Sequence, residues 1–229
     1  MLVATLLPLA VPVLVRTDGV ILLALQTSDA TGDPSADAAR ALQAALETAP
    51  GSVVTPPPPG PGENRLQDLL DRTGTFPVTV HERFDFWLDR TDFLGPDVRD
   101  AAEQANTAIS PTARLASVEA GYWCRLGDRE QLRWVMPHDE EPLLDALARL
   151  HAAGADRLGE GSRLLGTFRA LGRLVPVWDL PPGTPVEAVE EPAAALAARL
   201  TEALDQTRPL TADERRARSG LANRQVTIR

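Results

Sequence analysis

The sequence predicts an α+β fold built from antiparallel hairpins that are each followed by a covering helix. Three times, at about residues 1–49, 113–153 and 163–206, two apolar runs flank a turn signal and precede a stretch of helical periodicity. Local hairpins that pack against helices are typical of the α+β class. Val11-Pro12-Val13 and Val175-Pro176-Val177 hold similar places in the first and third stretches, which raises the hypothesis of an internal duplication.

The six predicted helices rest on apolar periodicity, caps and proline stops. They cover about residues 33–49, 64–71, 96–110, 139–153, 184–203 and 211–220. Asp33 is expected to cap the first helix, and Leu46 to lie in its buried stripe. Capping boxes start at Thr184 and Thr211, and Pro192 is expected to kink the fifth helix or divide it in two.

The strands are predicted from apolar runs and alternation. The uncharged first fifteen residues lack the features of a signal peptide and are short for a membrane span, so we expect a strand there, at an edge or bulged because of Pro8 and Pro12. Turns are expected at Asp18-Gly19, Gly127-Asp128 and Leu171-Gly172. Further strands are predicted at 76–88 and, weakly patterned, at 224–229. Pro176 suggests another edge or bulge.

Length and composition bound the architecture. With 229 residues and 44% apolar content, the chain is long enough for a single α+β domain, 1–229, with a real core. The proline-rich segment 55–63 is expected to be a stiff linker, which leaves open a division into two lobes, 1–54 and 64–229. A polyproline ligand for a partner's aromatic groove is the alternative interpretation of this segment.

Composition also excludes several kinds of chemistry. All 23 cationic residues are Arg, and the absence of Lys excludes Schiff-base enzymes, P-loop ATPases and protein kinases. The single cysteine, Cys124, excludes an intrachain disulfide or a zinc ribbon and fits a cytoplasmic location. The formal charge of −9 disfavours broad nucleic-acid binding but not a local basic patch.

Histidines and carboxylates provide the candidate catalytic residues. His138 and Asp139, within Pro-His-Asp-Glu-Glu, indicate either a metal or acid–base site or a helix start that Asp139 caps. Glu82 interrupts the apolar face of the 76–88 strand, so it is expected to be a buried acid with a raised pKa, an ion-pair partner or part of a bulge. His151 is expected to be a hydrogen-bonded histidine at the edge of the core. No cofactor and no metal site are predicted.

Aromatic and basic residues provide the candidate binding residues. Trp87, Trp123, Trp134 and Trp178 are all predicted in strands, as a stacking platform or as core. Cys124 is expected to be a small core residue. Arg215, Arg216 and Arg218 begin an arginine-rich C-terminus, which is either a patch for RNA or an acidic partner, or a solvated helix end.

Several stretches resemble an actinobacterial family of unknown function whose longer members carry an N-terminal SEC-C zinc motif and are sometimes labelled SecA-like. The stretches are Ala4–Ala10, Asn64–Asp71, Phe84–Trp87, Tyr122–Cys124, Leu132–His138, Leu143–Gly154, Val175–Pro181, Leu210–Arg218 and Val226–Ile228. This chain lacks the zinc motif, and its Met1 falls inside the domain that the longer members share. The resemblance implies no catalytic residues.

The expected function is a non-catalytic cytoplasmic adaptor with a protein or ribosome-associated partner and no membrane contact. One alternative is a metal-assisted hydrolase that uses His138, Asp139 and nearby carboxylates. A further alternative is RNA binding through the C-terminal arginines. The sequence leaves the oligomeric state open.

Overall fold

The computed structural model describes residues 1–28, 30–52, 54–60, 64–71, 73–88 and 96–223, with only the backbone described for 96–98. The predicted α+β class is confirmed. The chain divides into two compact units, unit 1 (Met1–Ile109) and unit 2 (Ser110–Arg229). The unit boundary therefore lies beyond the proline-rich segment, which belongs to unit 1. The weak strand prediction for 224–229 falls outside the described residues.

Unit 1 is built around a three-stranded mixed sheet of β1 (Leu2–Ala4), β2 (Val13–Val15) and β3 (Ile21–Ala24), in the order β1-β3-β2. The predicted hairpin is formed by β2 and β3, while β1 pairs with β3 in parallel. The edge position expected for the first fifteen residues is confirmed, because β1 and β2 are the two edge strands of this sheet, but these residues form two strands rather than one. A 3-10 turn, Pro8–Ala10, separates β1 from β2 and contains Pro8, while Pro12, just before β2, contributes only its carbonyl, which accepts from the Ala24 amide at 2.9 Å.

Helices cover both faces of this sheet. Helix α1 (Pro34–Leu46) packs on one face, against Val13, Val15 and Leu23. Helix α3 (Pro96–Thr107) and a 3-10 turn, Phe84–Trp87, pack on the other. A strand that is buried on both faces reads as a continuous apolar run, which is why alternation is missing from β2 and β3.

Helix α1 confirms its predicted start and corrects its predicted stripe. The Asp33 carboxylate accepts hydrogen bonds from the Ser35 and Ala36 amides, as a cap does. Leu46, expected inside, is exposed because the helix ends there. The next helix, α2 (Leu66–Leu69), is shorter than predicted, and its Leu66 amide donates to Ser35 Oγ at 3.1 Å. This contact ties the chain beyond the proline-rich segment back to α1.

The strand predicted over 76–88 is wrong. Residues 84–87 form a 3-10 turn in which the Phe84 ring stacks on Trp87, with centroids 4.4 Å apart. Residues 74–82 belong to no element and make no backbone hydrogen bond among the described residues. An alternating sequence becomes a strand only beside a partner strand, and none lies next to this segment in the described chain.

Unit 2 contains a five-stranded antiparallel sheet in the order β4-β5-β6-β8-β7. Its strands are β4 (Thr112–Arg114), β5 (Gly121–Leu126), β6 (Arg129–Trp134), β7 (Arg163–Ala170) and β8 (Arg173–Asp179). The two predicted hairpins are confirmed, with positive φ at Gly127, Leu171 and Gly172 in their turns. Strand β8 is interior, so the edge position expected for Pro176 is wrong, whereas its alternative, a bulge, has a counterpart in the register shift of β7 between Leu164 and Gly166, next to the pairing of Thr167 with Pro176. The β6 ladder covers only Val177–Asp179 and ends before the proline.

Three helices share the core on one face of this sheet: α4 (Glu140–Ala152), α5 (Glu187–Leu204) and α6 (Ala212–Asn223). Helix α5 is a single helix that contains Pro192. Its predicted capping box is wrong, because the Thr184 hydroxyl donates to the Pro181 carbonyl. The box at Thr211 and Glu214 is confirmed, with both reciprocal hydrogen bonds present. Helix α6 runs past Gly220, its predicted end.

The three hairpin–helix stretches do not have equivalent surroundings. The first lies in unit 1, where a parallel strand joins its hairpin. The second and third share one antiparallel sheet in unit 2. The structure therefore shows the predicted order of elements without three copies of one unit.

Candidate functional site

The acidic segment at the start of α4 is used for ion pairs. Glu140 forms an ion pair with Arg169, whose Nε donates to Glu140 Oε2 at 2.8 Å. This guanidinium lowers the pKa of Glu140. His138 and Asp139 are both exposed just before the helix. Asp139 holds the cap position, but its side chain makes no capping hydrogen bond, so the predicted side-chain cap is wrong.

Glu82 is exposed in unit 1, in the segment without secondary structure. The expectation of a buried acid in a strand is wrong, because no strand forms there. His138 and Asp139 belong to unit 2. Within the described residues, no group of three or more His, Cys, Asp or Glu side chains is arranged to hold a metal ion.

His151 forms the one close contact between a histidine and a carboxylate among the described residues. Its Nδ1 lies 2.6 Å from Asp156 Oδ2, and Asp156 is buried. The Trp178 indole N–H donates to the Asp156 carbonyl at 2.7 Å and so holds Asp156 in place. The Asp156 carboxylate in turn orients the His151 ring. The prediction of a hydrogen-bonded histidine at the core edge is confirmed. Its partner was not predicted, although Gly154 signals that the chain turns back there after α4.

His138 precedes α4 and His151 lies in its last turn, and the helix rises about 16 Å between Glu140 and His151. The two histidines of unit 2 therefore do not form one site. His81, in unit 1, places its ring 4.6 Å from that of Phe86.

All four tryptophans are buried, and each indole N–H donates to a backbone carbonyl. The acceptors are Leu6 for Trp87, Thr184 for Trp123, Glu119 for Trp134 and Asp156 for Trp178, at 2.7–3.0 Å. Trp87 lies in a 3-10 turn rather than in the predicted strand. These contacts pin loops to the two cores and leave little aromatic surface for stacking.

The C-terminal arginines are largely engaged within unit 2. Arg218 bridges Asp145 and Glu141 of α4, at 2.6 and 2.5 Å, and Arg216 pairs with Asp213. Arg215 donates to the Leu210 carbonyl at 2.6 Å. Arg224 and Arg229 lie outside the described residues.

An arginine outside the predicted set, Arg208, forms a further ion pair in this region. Arg208 donates to both oxygens of Glu214, and the Thr211 amide donates to the same carboxylate. The Arg208 guanidinium and then that amide lower the pKa of Glu214 to about 2. This cluster fixes the loop between α5 and α6.

Cys124 is buried in β5, and its burial raises the pKa of the thiol. A thiol with a raised pKa is a poor nucleophile, which fits the expected core role.

Two open cavities lie in unit 2. One, of about 550 Å³, is lined by residues 114–119, and there the Ala116 and Ser117 amides already bind the Glu190 carboxylate at 2.9 and 2.8 Å. The other, of about 380 Å³, lies between α4 and residues 204–210, where Arg149 donates to the Arg208 carbonyl. Neither is lined by a histidine.

Exposed apolar surface is concentrated in unit 1. Of the nine large apolar side chains that are strongly exposed in the described chain, unit 2 contributes only Leu171, at a hairpin tip. The other eight are Met1, Leu2, Leu9, Leu25, Leu46, Leu69, Phe76 and Val78. Phe76 and Val78 lie in residues 74–82, which we call the arm.

The chain is hydrogen-bonded to the rest of unit 1 before the arm, at residues 65–66, and after it, at residues 84–87. On the N-terminal side of the arm, Arg65 forms an ion pair with Asp33 at 2.8 Å, and the Leu66 amide donates a hydrogen bond to Ser35 Oγ. On its C-terminal side, the Phe84 amide donates to Asn106 at 2.7 Å, and Trp87 is fixed to the Leu6 carbonyl. The sequence signal for this segment was its alternation, which indicated a strand; that no described strand pairs with it is visible only in the structure.

None of the described helices is long and apolar enough to cross a membrane. No curated protein and no solved structure matches the chain. One family model, described as a family of unknown function (DUF5926), matches residues 1–229, and every element above lies within that match. The chain therefore belongs to the DUF5926 family.

Proposed function

We propose that this protein is a non-catalytic cytoplasmic adaptor that binds a protein or ribosome-associated partner through unit 1. The observation that carries the proposal is the distribution of exposed apolar side chains, eight in unit 1 against one in unit 2 among the described residues. Contiguous apolar surface left in water marks interaction sites, and Phe76 and Val78 are two such exposed side chains only two residues apart. The tryptophans do not contribute to this surface, because all four are buried.

We also propose that this protein belongs to a narrower group within the DUF5926 family. The stretches that resemble the actinobacterial proteins with an N-terminal SEC-C motif support membership of that group. A small zinc motif joined to a domain without a recognised catalytic site is consistent with a binding role. The cytoplasmic location and the ribosome-associated partner are part of this proposal.

The adaptor is preferred to the two alternatives because of where their residues lie. For a metal-assisted hydrolase, His138 and Asp139 are exposed in unit 2 and Glu82 is exposed in unit 1. For RNA binding, Arg216 and Arg218 are paired with carboxylates. No observation favours either alternative over the adaptor.

The test is an affinity pull-down with the full chain from lysate of the source cells, with and without nuclease. A variant with Leu9→Ser, Leu46→Ser, Phe76→Ser and Val78→Ser is compared with Leu171→Ser. Leu171 is a matched control, since it is 68% exposed, like Leu46 and Phe76, but lies in unit 2.

The expected result is a stoichiometric protein partner that survives nuclease, is retained by Leu171→Ser and is reduced at least tenfold by the quadruple variant. Recovery of the same partner by the quadruple variant would overturn the proposal. So would an empty pull-down, or one whose contents all disappear with nuclease.

A further inference from the structure

We propose that the arm binds its partner by adding as an edge strand to the free edge of a β-sheet in another protein. This inference rests on the proposed adaptor function and names the binding element and the mode. It starts from a conflict: the sequence of the arm is that of a strand, yet the described chain gives it no neighbouring strand.

The side chains of the arm have the alternation of a half-buried strand. Phe76, Val78 and Val80 would share one face of an extended chain, and Pro77, Thr79 and His81 the other. In the structure, Phe76 is 68% and Val78 45% exposed. The β-branched and aromatic residues fit a pleated surface that is covered on one side. A partner that covers this face removes these apolar side chains from water.

The backbone of the arm is also left without a protein partner in the part of the chain that the structure describes. No N–H or C=O group of residues 74–82 is hydrogen-bonded to a described residue. An exposed row of such groups is what a sheet edge of another chain can pair with, and main-chain hydrogen bonds give this mode its affinity. A lipid surface or an RNA would cover the apolar or cationic groups but would not complete a ladder.

Pro77 decides which edge of the arm can pair. Along a strand, the N–H and C=O of one residue point to the same edge, and those of the next residue to the opposite edge. The N–H and C=O groups of Phe76, Val78 and Val80 therefore point to one edge of the arm, and all three of these residues have an N–H to donate. The other edge contains Pro77, which has no N–H to donate. The arm can complete a sheet on one side only, so it fits as a terminal strand.

The protein prepares the arm for this role. Pro77 fixes its own φ and biases Phe76 towards the extended region. Both flanks are anchored in unit 1, at Ser35 and at Asn106. Restricting the free chain in this way lowers the entropy lost on binding. Residues 76–80 would span about 17 Å, the length of an ordinary strand.

The partner is thus a protein with an exposed edge strand next to an apolar surface that receives Phe76, Val78 and Val80. The discriminating experiment is a pair of proline substitutions. Val78→Pro removes an N–H from the pairing edge, whereas Thr79→Pro removes one from the edge that Pro77 already blocks. Neither residue is hydrogen-bonded to the described chain, so both variants should keep the wild-type Tm.

The probe is the nuclease-treated lysate of the source cells, with isotope ratios to quantify the recovered partner. A photo-crosslinking amino acid at position 76 identifies the partner segment that touches the arm. We expect Val78→Pro to reduce recovery at least tenfold, Thr79→Pro to change it less than twofold, and crosslinks to map to an edge strand.

Equal effects of the two prolines, or crosslinks to a helix, would overturn strand addition. Hydrogen-exchange protection of residues 76–80 that rises with the concentration of the purified chain would assign the arm to a second copy instead, and would also overturn it. If both proline variants keep a partner that the quadruple serine variant loses, the adaptor stands and this inference fails. If wild type recovers no partner, both fail.

Discussion

At the scale of single residues, the loops of unit 2 are held by side chains that hydrogen-bond to their backbone groups. The Trp178 indole binds the Asp156 carbonyl, and the Glu190 carboxylate binds the Ala116 and Ser117 amides. The Ala116 amide, the Ser117 side chain and the Ser117 amide all hydrogen-bond to the Glu190 carboxylate and lower its pKa. A buried polar group without such a partner costs about 1–3 kcal/mol, so the buried Trp178–Asp156 contact explains how that loop lies against the packed core, while the Glu190 contacts hold an exposed loop.

Glu214 makes stability depend on pH. Its pKa of about 2 lies below the value of about 4.3 for an unfolded glutamate. The ionised carboxylate therefore stabilises the folded chain above about pH 4, and this contribution is lost as the pH falls towards 2. Glu214→Gln should lower Tm by a few degrees at pH 7, with a difference that shrinks as the pH is lowered through this range. Thermal scans from pH 7 to 2 measure it, and a constant difference would contradict the assignment.

Trp178→Phe should lower the free energy of unfolding by about 2 kcal/mol, because it leaves a small cavity and an unpaired Asp156 carbonyl. Urea denaturation gives the value. Leu171→Ser, at an exposed hairpin tip, is the control and should change it by less than about 0.5 kcal/mol. A loss for Trp178→Phe as small as that of the control would mean that the indole N–H has no structural role.

At the scale of elements, glycines test whether strand and helix lie where the structure has them. A Cβ at Gly121, in β5, would meet Val118 Cγ2 at 2.7 Å, whereas one at Gly220, in α6, has nothing within 4 Å. Gly121→Ala should therefore destabilise by about 1–3 kcal/mol. Gly220→Ala should stabilise by about 0.5–1 kcal/mol, because alanine is the better helix former. Chemical denaturation measures the free energy of unfolding of both variants. If Gly220→Ala lowers it, the helix ends at Gly220, as its sequence suggests.

Sequence reasoning succeeded for elements whose causes are local. The Asp33 cap, the turn at Gly127 and the hairpin at Leu171-Gly172 are specified within a few residues. It failed where a distant neighbour decides. The parallel pairing of β1 and the lack of a partner for the arm depend on what lies beside them, and alternation alone carries no such information.

The candidate site was predicted less well than the fold. His151 was placed correctly, but Asp156 was not paired with it, because the contact forms only after the chain turns at Gly154. Glu82 was misplaced with the strand that does not form. Arg216 and Arg218 were correctly located on a helix, while the carboxylates that hold them, on α6 and α4, required the structure.

At the scale of the whole molecule, the arm should be the weakest point of the described chain. It is exposed and has no backbone hydrogen bonds with described residues, so it can enter a protease site without unfolding either core. Thermolysin, which cleaves before apolar residues, should cut first at Val78 or Val80. Mass spectrometry of the early fragments tests this, and a first cut between β5 and α5 would contradict it.

The positions of the four tryptophans have a spectroscopic consequence. Trp87 is the only one in unit 1, while the other three lie in unit 2, and all are shielded from water. Native emission should therefore be blue-shifted. A chain that keeps only the Trp87 indole would report the loosening of unit 1 by its red shift. The complementary chain, with Trp87 replaced by Phe, would report unit 2, so the melting of each half can be followed optically without an added dye.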